Sequence, residues 1–385
     1  MGSAGISGTL GSRLRLGVSW ALASLLLVQL VAALLPMPAF GLWVVRLIAR
    51  ETWLFAVPLG ALLFVIGPRS WMRGVGLGAA VWGFVPLLGA WPMFGTVHGG
   101  FSLMEYATGT RLGREVVVQR DLVLEPSRPD LALDLYPGQG AGPRPLLVVL
   151  HGGSWQRGDK GEVAHASRAL AAAGWSVADL RYRLAPAHRF PAPVADVKCL
   201  LGRLRGEAAR LNVDPKRVVL LGRSAGGHLA LIAGYSMGVS GAEALPPSCA
   251  VPEQPVQGVV AVYPLIDLEG TYKEPPSPDL LDARDALGKL LGGSPEQVKP
   301  LYEAASPVRW ARAGRRLPPT LLVHGQADLL VRIEHSKKLY DALEAGRHTA
   351  RLLGIPDADH GFDVRSGGIG EQLTRAAVLD FLRGL

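Results

Sequence analysis

"RVVLLGRSAGGHL", residues 217–229, joins two kinds of sequence. Arg217–Gly222 is a continuous apolar run behind one arginine, the pattern of a strand covered on both faces. Gly222-Arg223-Ser224-Ala225-Gly226 then fits G-x-S-x-G, and the residues after it are small enough to open a helix. With 48 glycines in 385 residues, roughly a few tenths of one such match is expected by chance. A chance match rarely falls between a buried strand and a helix, which is the setting a nucleophilic serine on a sharp turn requires.

The surrounding chain supplies that setting. "EVVVQRDLVLE" (115–125) and "LALDLYP" (131–137) read as a hairpin of short strands. "PLLVVL" (145–150), "WSVADLRYR" (175–183), "VQGVVAVYP" (256–264), "PTLLVHG" (319–325) and "TARLLGI" (349–355) read as further strands. Between them, Glu162–Ala173, Val194–Leu211, Ile333–Ala345 and Gln372–Leu382 have helical spacing. Alternation of this kind predicts an α/β fold, a mostly parallel sheet with helices on both faces. Reactive groups then collect at the carboxy ends of the strands.

A serine hydroxyl needs a base to take its proton and an acid to orient that base. In this architecture they follow in the order serine, acid, histidine. Asp328 lies just past the strand 319–325, and His360 lies in the loop "DADHGF" before the last helix. Ser224, Asp328 and His360 are therefore the candidate triad. Asp357 and Asp359 are rival acids, but they flank the base in its own loop. Among the other downstream histidines, His228 points away along the helix after the serine. His324 bonds locally, His335 is a solvated helix residue, and His348 lies at the wrong sheet edge. Upstream, "HGGSWQRGD" follows the strand 145–150, and its paired glycines let the backbone aim N–H groups at a developing oxyanion. Gly153, Ser154 and Ala225 are the candidate donors, with His151 organising the loop and Trp155 lining a pocket or packing.

These residues resemble the α/β-hydrolase superfamily, and within it the hormone-sensitive-lipase-like and related carboxylesterases. The resemblance rests on "LDLYP", "HGGSW", "RGDK", "RYRLAPAHRFPAPVADV", "DPKRVVLLGRSAGGHLA", "HGQADLLV" and "HGF", across residues 130–363. It implies hydrolysis of a small-molecule or lipid ester with no metal or organic cofactor. H-G-G-S-W in place of H-G-G-G resembles the subgroup with feruloyl esterases and kynurenine formamidases, which keeps amide substrates open. Arg223 stands where the family often has an acidic residue, and a nearby salt bridge or a carboxylate-bearing substrate would use it. A peptidase with the same triad, or a non-catalytic receptor built on the fold, are the rival readings.

The first hundred residues have another character. Leu16–Leu35 is an uncharged run of 20 residues behind Arg13 and Arg15, long enough for the ~30 Å hydrocarbon core at 1.5 Å per residue. Pro36 and Pro38 end it, and Thr52–Pro68 and Gly74–Gly95 are further uncharged runs. A cleaved signal peptide would account for the first run but not for the next two. The expectation is a membrane region, 1–100, with about three transmembrane helices; two spans plus an interfacial helix at 41–51 is the alternative. The catalytic domain then covers 101–385, with residues 267–310, which break the strand–helix rhythm, as a possible lid or a surface excursion. Arg13, Arg15, Arg69 and Arg73 place that domain outside if the amino end is inside, whereas Arg46 and Arg50 argue the reverse. The membrane segments resemble those of membrane-bound methylesterases acting on prenylated cysteine.

Composition agrees. Hydrophobic residues at 49% against 19% charged suit a chain with a membrane part. Six arginines and two glutamates in residues 1–110 leave +4 there, half of the chain's +8. With no Lys/Arg block in either part, no nucleic-acid partner is expected. Cys199 and Cys249 have no metal-ligand spacing; a buried thiol is the default for Cys199, and a disulfide is allowed.

Overall fold

The computed structural model describes residues 4–35, 39–312 and 314–385. It divides into two compact units, Met1–Thr96 and Val97–Leu385.

The first unit is helical: α1 (Ala4–Leu34), α2 (Phe40–Glu51), α3 (Ala56–Ile66), α4 (Ser70–Trp82) and α5 (Val85–Thr96). Two stretches are long and apolar enough to cross a membrane, Gly11–Leu34 and Ser70–Thr96. The middle run differs from the expectation. At 11 residues, α3 alone reaches only about 16 Å. It continues from α2 through a 3-10 turn at Trp53–Phe55, with a bend of 56° in the pair, so a third span would be a broken one. Pro36 and Pro38, read as the end of the first run, lie outside the described residues. Ala23, Leu26, Ala56, Leu63 and Met72 form a small buried cluster among α1, α3 and α4.

The second unit opens with α6 (Leu103–Thr108), then builds one eight-stranded sheet. In chain order its elements are β1 (Gln119–Val123), β2 (Ala132–Tyr136), β3 (Arg144–Leu150), α7 (Ala164–Ala172), β4 (Ser176–Leu180), α8 (Ala192–Gly206), α9 (Ala208–Leu211), β5 (Val213–Arg223), α10 (Ala225–Tyr235) and β6 (Gly258–Val262). There follow α11 (Leu268–Lys273), α12 (Ala283–Leu291), α13 (Pro295–Ala305), β7 (Thr320–Gly325), α14 (Glu334–Ala345), β8 (Ala350–Ile355) and α15 (Ile369–Arg383). The strand order is β1-β2-β4-β3-β5-β6-β7-β8. β2 pairs antiparallel with both β1 and β4, and every other pair is parallel.

The exchange of β3 and β4 follows from the crossovers. Each β-α-β connection in a parallel sheet is right-handed, so helices reach both faces only if the winding reverses once. The reversal lies at β3, beside β5. The loops after β3 and β5 therefore open next to each other, at the same sheet edge as those after β7 and β8. Burial on both faces explains why β4, β6 and β7 lack period-2 alternation: every residue of each is buried.

The cysteines correct the default reading. Cys199, on α8, is disulfide-bonded to Cys249, in the loop before β6, with Cα atoms 5.3 Å apart. The chain after α10 folds back over α8, where the Ser248 N–H donates to the Ala195 carbonyl at 2.9 Å and sets the two sulfurs side by side. That return is tertiary, so sequence spacing does not reveal it.

Candidate active site

Ser224 sits in the turn from β5 to α10 with φ 52° and ψ −119°, a conformation costly for any residue but glycine. Its N–H donates to the Val262 carbonyl at 2.9 Å, which ties the turn to β6. The flanking glycines are required by close approach. A Cβ on Gly222 would lie 2.1 Å from the Gly226 carbonyl oxygen, and one on Gly226 would lie 2.3 Å from the carbonyl oxygens of Leu150 and His151. The turn thus packs directly on the end of β3, with no room for a side chain.

The structure brings the three distant candidates together. His360 Nε2 is 2.9 Å from Ser224 Oγ, and His360 Nδ1 is 2.7 Å from Asp328 Oδ2. The other Asp328 oxygen accepts the N–H groups of Leu330 and Val331 at 2.9 and 2.8 Å. Burial alone would raise the Asp328 pKa. The facing His360 charge and bonds from His324 and His360 outweigh it and hold this carboxyl well below the usual range. Burial likewise opposes a charged His360, but Asp328, Asp359 and Asp363 reverse that and lift the imidazole above its ordinary value. A carboxylate on Nδ1 leaves the Nε2 lone pair facing the serine, the tautomer a base requires.

The rivals fall elsewhere. Asp359 accepts the Leu329 and His360 N–H groups, fastening the histidine loop to the loop after β7, and Asp357 is exposed. His324 bonds Ser336 and the Val331 carbonyl, and His348 donates to the Arg312 carbonyl. His335 departs from the solvated reading. It is half-buried, with Nε2 3.4 Å from the Thr271 hydroxyl, because α11 folds against α14.

Ser154 and Ala225 line the same cavity as Ser224, and Gly153 precedes Ser154 in the loop after β3. Residues 153–155 all have positive φ, at 106°, 52° and 59°. Among the described residues, no hydrogen bond uses the N–H of Gly153 or Ser154. Ala225 begins α10, so its N–H has no partner within the helix. The preceding residue is fastened: the Gly152 N–H donates to Glu162 Oε2 at 3.0 Å. Ser154, Trp155, Ser224 and Ala225 line a cavity of about 50 Å³ whose other walls are mostly apolar, with Leu280, Leu281 and Leu287 from the 267–310 insertion, which also brings Thr271 and Asp279 to the lining.

Two buried features beside the site differ in how far the sequence announced them. Arg223 does form a salt bridge, and its partner is Asp363, three residues after His360, at 2.5 Å. The Tyr263 hydroxyl donates to the other Asp363 oxygen at 2.5 Å, and its ring centre lies 4.3 Å from that of His360. Trp155 and His228 are also bonded, at 3.1 Å. The charged Arg223 beside the serine signalled the first; the second left no sequence signal.

The BD-FAE family model matches residues 133–343, more than half of the chain. Esterase LipC of Mycobacterium tuberculosis is 32% identical over 230 residues, covering 58% of this chain and 55% of that protein. Esterase LipQ of the same organism is 29% identical over 257 residues, 66% of this chain and 57% of that protein. The chain thus spans little more than half the length of the curated relatives it matches. A thermophilic esterase of Thermogutta terrifontis, Est2 with propionate bound, aligns with a TM-score of 0.54 at 25% identity, over 70% of this chain and 94% of that one. With the winding of the sheet and the matched segment agreeing, the chain belongs to the BD-FAE family and its second unit has the α/β-hydrolase fold.

Proposed function

We propose that the chain is a membrane-anchored serine hydrolase of carboxylic esters, with Ser224 as nucleophile, His360 as base and Asp328 as its orienting acid. The observation that carries this reading is the unbroken path from Ser224 Oγ through His360 to Asp328, at 2.9 and 2.7 Å. Esterase relatives and a propionate-bound esterase neighbour support the ester class. The two apolar helices of the first unit support the anchor.

In this mechanism Ser224 Oγ attacks the ester carbonyl carbon as His360 Nε2 takes its proton. Negative charge moves to the carbonyl oxygen, where the N–H groups of Gly153, Ser154 and Ala225 receive it. The tetrahedral intermediate collapses, the C–O bond to the alcohol breaks, and imidazolium His360 protonates the departing alkoxide. Water, deprotonated by the same nitrogen, then attacks the acyl-serine and releases the acid. Asp328 stays ionised throughout and stabilises the imidazolium.

Ser224→Ala removes the only attacking atom. Turnover of p-nitrophenyl butyrate by the full chain in detergent micelles should fall by at least about 10³-fold, with fluorophosphonate labelling abolished. Undiminished turnover would refute the assignment. Paired butyrate ester and butyranilide substrates separate esterase from amidase.

A further inference from the structure

His228 is wholly buried on α10, one turn past Ser224, and the triad does not use it. Both ring nitrogens are committed. The Trp155 indole N–H donates to His228 Nδ1 at 3.1 Å, and His228 Nε2 lies 2.6 Å from the Ala305 carbonyl oxygen, to which it donates. One neutral tautomer satisfies both contacts, and burial pushes the imidazole pKa down to about 4, which keeps it neutral. The two rings meet edge to face, at 83° with centres 5.1 Å apart.

What this relay joins is informative. Trp155 ends the run of three positive-φ residues, of which Ser154 and Trp155 have no glycine's freedom. Such backbone persists only where its surroundings over-determine it. The Trp155 carbonyl is held by the Ala185 N–H at 2.8 Å, and the indole is held by His228. Ala305 is the last residue of α13, at the base of the 267–310 insertion that walls the cavity over Ser224. The relay therefore spans the insertion, the nucleophile helix and the loop carrying two of the three candidate oxyanion donors.

Resting on the serine-hydrolase reading, we propose that His228 is a positioning residue for the oxyanion loop. By accepting the Trp155 N–H while anchored on Ala305, it holds the Gly153 and Ser154 N–H groups where charge develops on the substrate oxygen. Its backbone N–H donates to the Ser224 carbonyl as an ordinary helix bond, but its side chain bonds Trp155 and Ala305, so the effect of changing that side chain belongs to the transition state rather than to binding.

The test compares the full chain in micelles with His228→Leu, which ends both bonds, and His228→Gln, whose amide can accept from the indole and donate to Ala305. His228→Leu should lower kcat on p-nitrophenyl butyrate by about 10- to 100-fold, the scale of a small misplacement of catalytic groups, with KM within about twofold. Affinity for a trifluoromethyl ketone, which forms the tetrahedral oxyanion on Ser224, should weaken by a similar factor, and His228→Gln should recover most of both losses. If His228→Leu does not fold, Trp155→Phe removes the same bond while sparing the α10 to α13 contact, and should show the same fall in kcat and ketone affinity. A folded His228→Leu, or Trp155→Phe in its place, with parental kcat and ketone affinity overturns the relay alone, because Ser224-dependent turnover would persist. Full activity in Ser224→Ala would overturn the underlying reading and the relay with it.

Discussion

Removing either member of the Arg223–Asp363 pair should be far more damaging than removing both. The side chains are 6% and 1% exposed, so each charge depends on the other for its solvation. Among the described residues, Arg223→Met leaves the Asp363 carboxylate buried with the Tyr263 hydroxyl as its one side-chain partner, and Asp363→Leu leaves the guanidinium with no carboxylate at bonding distance. Stranding one charge of a buried pair costs about 3–5 kcal/mol. Replacing both with apolar residues of similar volume is often neutral, but here the Tyr263 hydroxyl loses its acceptor, which costs about 1–3 kcal/mol. For the roughly 290-residue second unit, about 2 °C of Tm per kcal/mol gives losses of about 6–10 °C for each single variant and about 2–6 °C for the double. Thermal unfolding of the full chain in micelles, followed by near-UV circular dichroism, reads this directly. A double variant no more stable than the worse single would refute the argument, as would singles within a degree of wild type.

Other outcomes follow from the site. In the proposed mechanism His360 must be neutral to take the serine proton, and the carboxylates around it lift its pKa above the ordinary 6.5, so kcat/KM should fall with acid along a limb centred above pH 6.5. Asp359→Asn removes one of the charges that raise the imidazole while keeping a side-chain oxygen for the Leu329 and His360 N–H groups, so that limb should move to lower pH; an unmoved or raised midpoint counts against it. The Cys199–Cys249 bridge closes a separation of 50 residues, which by chain entropy is worth about 4 kcal/mol. Reductant, or a Cys199→Ala/Cys249→Ala pair, should lower Tm by about 8 °C while sparing turnover at 25 °C, and a Tm indifferent to reductant would show the bridge is not formed.

How much was legible in the sequence depends on how local each signal is. The strand 145–150 and the strand ahead of Ser224 announce themselves as unbroken apolar runs, because burial on both faces removes any reason for polar alternation. The glycines around Ser224 are equally local: the turn meets the end of β3 so closely that no side chain fits, and that exclusion is written in residue type. The middle apolar run is a less local case: α3 is only 11 residues and joins α2 through the turn at Trp53–Phe55, a bend that the run of apolar residues does not mark.

What residue type and order determined by themselves was the alternation of strand and helix, the strained serine turn, and the short set of side chains able to serve it. What only the tertiary structure decided was which long-range partners meet: the exchange of β3 and β4, Arg223 with Asp363, Trp155 with His228, Cys199 with Cys249, and the fold of 267–310 over the serine. The division has one physical cause. Backbone sterics and burial patterns act over a few neighbouring residues and so appear in the chain, whereas a buried charge or ring nitrogen is satisfied by whichever group the sheet's winding carries to it, from as far as 140 positions away.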